Sequence, residues 1–195
     1  MLPTLKEFAS RPAPPFRTMD AMARDAAIQH IYELDATEGR SLILSDLRDP
    51  RAQPSISLVK LLTADELRPI VQEAVGRIEK NDARELDYHL VELYGDAPAL
   101  VGMKTVFNDH LAQWACDPQT AMLRFFLRLE PEFGAKAVEV SLAARKVTGC
   151  YHFLLQELGD ALPKSTTPTS KSPTMPRWHW GTGERQARKR RCGRG

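Results

Sequence analysis

Aromatic residues make up only 7% of this 195-residue chain, cysteine occurs three times, and no apolar run approaches the ~20 residues that span a bilayer. Each shortage excludes a class of protein. Cys116, Cys150 and Cys192 are odd in number, and none stands in a CxxC or CxxH pattern, so neither a disulfide scaffold nor a zinc ribbon is expected. Reduced thiols in a cytoplasm fit that usage. The opening Met1-Leu2-Pro3-Thr4-Leu5-Lys6-Glu7-Phe8 has no basic region followed by an apolar core, so we expect a soluble, cytoplasmic protein with no membrane span. A phosphate-cradling glycine loop, a serine nucleophile elbow and an HExxH pair are all missing. We therefore expect no catalytic residue, no cofactor and no metal site.

What is present is a 43% hydrophobic chain, enough to bury a core, with a net charge of +2 that hides an asymmetry. Of 27 basic and 25 acidic residues, residues 163–195 hold nine basic ones against Glu184 alone, a net +8; the remaining 18 basic and 24 acidic residues leave the body at −6. An acidic body carries a basic tail.

No segment alternates as a strand would, and the apolar residues recur at helical spacing. Residues 1–17 contain four prolines and read as an N-terminal arm with little helix beyond a turn at 4–9. From Thr18, the residues Met19, Ala23, Ala26, Ile31 and Leu34 fall near one face, and a second segment carries Leu42, Ile43 and Leu47, which makes a helical hairpin. Pro54 opens a short helix. The clearest helix starts at Thr63 with a Thr63/Glu66 capping box and the stripe Leu67, Ile70, Val71, Ala74, Val75, Ile78. Pro69 lies just past its first turn and either kinks it or delays its regular part.

Residues 83–94 form a further helix ending at Gly95, a good left-handed terminator, and a partner carries Leu100, Met103, Val106, Phe107, Leu111 and Trp114. Asp117-Pro118 supplies a cap and a first-position proline for a helix apolar almost all round, which should be central. Glu130-Pro131 opens its partner, and past Gly149 a last helix carries Tyr151, Leu154, Leu155, Leu158 and Leu162. Beyond Pro163 too few large apolar residues remain to offset the ~1–2 kcal/mol per residue that ordering costs, so 163–195 reads as a disordered basic tail. Roughly nine helices joined by short loops result.

The hairpin junctions echo one another. Leu34-Asp-Ala-Thr-Glu-Gly-Arg-Ser-Leu resembles Leu129-Glu-Pro-Glu-Phe-Gly-Ala-Lys-Ala, each with an acidic residue and a glycine. Leu62-Thr-Ala-Asp-Glu-Leu and Tyr94-Gly-Asp-Ala-Pro-Ala-Leu fall in the same role, and the junctions at 34, 62, 94 and 129 are 28, 32 and 35 residues apart. That irregular period suits degenerate two-helix repeats. Over residues 18–162 the chain resembles HEAT-like helical-repeat proteins, and Trp114-Ala-Cys-Asp-Pro-Gln through Phe126-Leu-Arg-Leu-Glu-Pro to Thr148-Gly-Cys-Tyr resembles uncharacterised bacterial ones. The resemblance implies an all-α, right-handed solenoid of about four stacked hairpins with a groove along one side. It implies a fold rather than an activity, since such proteins include scaffolds, DNA glycosylases and bilin lyases.

A protein-binding or scaffolding surface is the function expected of such a groove, with Gln72, Lys104, Asn108, Lys136 and Glu139 as exposed contact candidates. One alternative is a nucleic-acid-associated protein acting through weak tail contacts at Arg185, Arg188, Lys189, Arg190 and Arg191 beside Trp178 and Trp180. Another is a HEAT-like enzyme such as a DNA glycosylase, which an acidic body disfavours. Trp114 is read as core rather than as a base-stacking platform. Cys116 and Cys150, 34 residues apart, are read as buried thiols, because a bridge needs both side chains inward at a close helix crossing. His152 points away from Cys150 on a helix, so no Cys-Cys-His zinc site is expected. His30, His89, His110 and His152 read as surface or capping histidines. Glu85, Asp87 and His89, like Asp109 and His110, could serve as acid–base groups but are expected on wet helix faces.

Overall fold

The computed structural model describes residues 2–11, 18–110, 114–145 and 149–159. These form ten helices and, among the described residues, no strand: α1 (Leu2–Ala9), α2 (Met19–Leu34), α3 (Ala36–Arg48), α4 (Ile56–Val59), α5 (Ala64–Glu79), α6 (Glu85–Tyr94), α7 (Ala97–His110), α8 (Cys116–Leu129), α9 (Pro131–Arg145) and α10 (Gly149–Leu158). No described helix is long and apolar enough to cross a membrane.

Local chemistry sets most of the boundaries. At α5 the Thr63 side chain accepts the Glu66 N–H at 3.4 Å while the Glu66 carboxylate accepts the Thr63 N–H at 2.8 Å, closing the expected capping box. Pro69 does not interrupt α5, which runs through it. Two junctions turn the chain in a single residue. Asp35 donates its N–H to the Ile31 carbonyl at 2.7 Å, and its own carbonyl accepts the Gly39 N–H at 3.0 Å; Glu130 does the same with Phe126 at 2.7 Å and Gly134 at 2.9 Å. Their backbones nearly coincide, with φ, ψ of −149°, 93° and −145°, 81°.

The glycine that follows each junction has a packing reason. A Cβ on Gly39 would collide with the Tyr32 backbone, and one on Gly134 would sit 2.6 Å from the Leu127 nitrogen. Both glycines let the outgoing helix cross the incoming one backbone to backbone. Gly39→Ala and Gly134→Ala are each expected to destabilise by about 1–3 kcal/mol through overpacking. Gly76→Ala in α5, where a Cβ meets nothing within 4 Å, should instead stabilise by about 0.5–1 kcal/mol. Equal melting midpoints for the three variants would refute this account of the junctions.

α6 packs extensively against both α5 and α8, α8 also packs on α9 and α10, and α5 lies against α7. At one end, α2 sits between α1 and α3. α8 is central, as its apolar circumference predicted: Met122, Leu123, Phe125 and Phe126 are fully buried. Each such side chain contributes about 1.5–3 kcal/mol on burial. Trp114 is core, edge-on to Tyr88 and Phe107 at centroid distances of 5.5 and 5.8 Å.

Several expectations are corrected. The arm is helical over Leu2–Ala9 and docks on α2 with Ala9 fully buried. Pro3 is harmless there, because first-turn amides have no intrahelical partner. The buried face of α2 is Arg24, Ala27, Ile28 and Ile31, so of the stripe expected from spacing only Ile31 is buried, and Met19 and Leu34 are exposed. Arg24 displaces them by forming a buried bidentate pair with Asp46 of α3, one arm of it at 2.9 Å. Gly95 is not left-handed; at φ −63° it is extended, and its lack of a Cβ spares a 2.8 Å approach to the Phe125 ring. α8 begins one residue before Asp117, and Asp117 does not cap it. Leu111, Leu162 and residues 163–195, with the whole predicted tail site, lie outside the described residues.

Candidate functional site

α5 carries two stripes. The first is the core stripe. The second, Ala64, Arg68, Val71, Gln72 and Val75, recurs at steps of four, three, one and three residues and shares Val71 and Val75 with the first, Val71 buried and Val75 half-buried against the core. Facing it are Tyr94 at the end of α6, Asp96, and Pro98 and Ala99 of α7, which together enclose an open groove of about 430 Å³. Its floor is Val71, Val75, Tyr94, Pro98 and Ala99, and Arg68, Gln72 and Asp96 supply polar groups. Arg68 is held by Asp65 at 2.9 Å. Burial raises the Tyr94 phenol above its ordinary pKa.

Of the residues expected at a binding surface, Gln72 lines this groove. Lys104 is held elsewhere, by the Glu130 carboxylate at the α8–α9 junction, with its ammonium 4.5 Å from the centroid of the Phe133 ring. Asn108, Lys136 and Glu139 are exposed on α7 and α9.

The charged residues of α6 divide into two groups that sequence spacing did not separate. Asp87, expected on a wet face, is fully buried. It accepts from Arg77 at 2.7 and 3.0 Å, from Arg84 at 3.0 Å and from the Arg84 amide at 2.8 Å. Burial alone would raise its pKa, but the hydrogen bonds from Arg77 and Arg84 outweigh it and hold the carboxyl below its ordinary value. Arg84 also donates to the carbonyls of Leu47, Asp49 and Ala52, so this hub fastens the end of α3 and the loop after it to α6.

The second group is half open to solvent. The His89 ring meets the Glu92 carboxylate through Nδ1 at 3.1 Å and the Asp117 carboxylate through Nε2 at 2.8 Å. The Glu92 hydrogen bond, with Asp117 adding to it against the effect of burial, raises the His89 pKa. Glu85, one turn before His89, brings a third carboxylate, and ligand-type atoms of Glu85, His89 and Asp117 all lie within 4.8 Å of one another. His89, read from the sequence as a surface or capping histidine, lies between two carboxylates of different helices. Its partner Asp117 is 28 residues away, and only the α6–α8 packing joins them.

The cysteines also depart from expectation. Cys116 and Cys150 form a disulfide with Cα atoms 5.2 Å apart, not a pair of reduced thiols. The helix starts of α8 and α10 cross closely enough for a bridge, the one condition on which spacing alone allowed it. The bond ties the turn that carries Asp117 to α10. Comparison of the chain with protein-family models, with curated proteins and with solved structures finds no match.

Proposed function

We propose that this chain is a protein-binding module of HEAT-like helical hairpins, and that the α5–α6–α7 groove receives an apolar side chain of a partner polypeptide. The observation that carries the reading is the open groove itself, where an apolar floor of buried Val71 and Ala99 with half-buried Val75 and Tyr94 lies beside the polar groups of Arg68, Gln72 and Asp96. Small apolar pockets with a few placed polar groups are where binding energy concentrates. The repeat reading is supported by the matched Asp35/Gly39 and Glu130/Gly134 junctions and by the contacts of α5 with α7, α6 with α8 and α8 with α10. Such alternate-helix contacts are what stacked hairpins produce.

Selection of displayed peptides on the full-length chain tests it. We expect enriched peptides to share one large apolar anchor. Val75→Asp, which places a charge on the groove floor, and Gln72→Arg should weaken them about tenfold or more, a loss of about 1.4 kcal/mol or greater. Val140→Asp, on exposed α9 surface, should leave binding unchanged. Peptides that bind the Val75→Asp and Gln72→Arg proteins as tightly as the parent would sink the proposal.

A further inference from the structure

Between α6 and α8, at a place separate from the groove, three side chains of metal-ligand type converge. Glu85 and His89 are four residues apart, one above the other on the same face of α6. Asp117 enters from the first turn of α8, which the Cys116–Cys150 bridge fastens to α10. A small cavity of about 90 Å³ opens onto Glu85 and His89, walled also by Gln53, Pro54, Ile56 and Leu86, and neither lysine nor arginine lines it. The nearby arginines have carboxylate partners: Arg77 and Arg84 pair with Asp87, and Arg124 pairs with Glu157 at 2.7 Å and with Glu92, the partner of His89 Nδ1, at 3.6 Å.

We propose that Glu85, His89 and Asp117 form a binding site for a divalent transition-metal cation, with zinc as the ion the donor set suits best. One imidazole nitrogen and two carboxylates leave a fourth position of a tetrahedron open to water or to a ligand in the cavity. The nitrogen donor selects against magnesium and calcium, which take oxygen ligands. Glu92 supplies the outer support such sites need. Its carboxylate accepts from Nδ1, which orients the ring and leaves Nε2 directed at Asp117.

The step required for binding is small. Ligands around a tetrahedral zinc stand about 3.4 Å apart at bond lengths near 2.0–2.1 Å, against the present 2.8 Å between Nε2 and the Asp117 oxygen. The cation replaces the proton shared by these two atoms, which passes to solvent, while Nδ1 keeps its own proton for Glu92. Glu85 is exposed and free to swing onto the ion.

The test is zinc titration calorimetry on the full chain, with cobalt absorption as a second readout of a nitrogen and oxygen ligand field. His179 and Cys192 are also ligand types, so the His179→Gln/Cys192→Ser double variant serves as parent. We expect one zinc per chain, visible cobalt bands and no response to magnesium. His89→Gln and Asp117→Asn should weaken zinc at least tenfold, and so should Glu85→Gln, which alters only an exposed side chain and leaves folding intact. A His30→Gln control should change nothing. No zinc heat up to millimolar concentration, or an affinity that Glu85→Gln leaves unaltered, overturns the proposal.

Discussion

Asp87→Ala is expected to lower the stability of the chain by about 3–5 kcal/mol, the range for breaking a buried ion pair by removing one partner. The carboxylate has no exposure and receives four hydrogen bonds of 3.0 Å or less from Arg77 and Arg84, so its loss deprives both guanidinium groups of their main partner, leaving the more buried Arg84 without any carboxylate. Arg84 would retain only the three carbonyls of the 47–52 segment, while Arg77 would keep a partly exposed pair with Glu73 at 3.7 Å. The effect should also carry a pH signature. Because the folded carboxyl lies below its ordinary value, and the unfolded one titrates near 3.9, the stabilisation is full above about pH 5 and is lost as pH falls through the folded pKa. Urea melts at several pH values read both quantities. Asp87→Asn, which keeps the shape and removes the charge, should flatten the acid limb of the stability profile. A loss below about 1 kcal/mol for Asp87→Ala would show that the hub is dispensable.

Removing the Cys116–Cys150 bridge is the second large change. Closing a loop between residues 34 apart restricts the unfolded chain by an amount worth about 4 kcal/mol in the chain-entropy account. Cys150→Ser and chemical reduction of the wild type should therefore lower the denaturation midpoint by the same amount, and reduction should do nothing further to the variant. Wild-type protein melting within about 2 °C in its oxidised and reduced forms would contradict a stabilising bridge. The loss should fall first on α10, whose described part is ten residues long, packs on α8 and α9, and is joined covalently to α8 at its start.

Much of this molecule was legible before any coordinates, and for one physical reason. A capping box, a one-residue acidic junction and a helix-period stripe are interactions among residues three or four apart, so they can be read from spacing. Thr63 with Glu66, the paired junctions at Asp35 and Glu130, and the central place of α8 all belong to this class. The groove was partly legible: Gln72 was reached as a residue opposite the core stripe, but that Tyr94, Pro98 and Ala99 would face it depends on how α7 lies along α5.

What spacing could not supply is which charged groups and which cysteines meet. Arg24 with Asp46, His89 with Asp117 and Cys116 with Cys150 are separated by 22, 28 and 34 residues, and a helix crossing brings each pair together. A charge on an amphipathic helix reads as solvated, because burying it alone is prohibitive; only a partner from another element reverses that, as Arg24 and Asp87 show. The amino-acid order by itself determined the helical class, the capped start of α5 and the acidic, glycine-bearing junctions at Asp35 and Glu130. Tertiary packing alone decided which polar side chains were buried, which cysteines joined and which carboxylates gathered around His89, since those outcomes turn on ångström-scale distances between helices that no periodicity encodes.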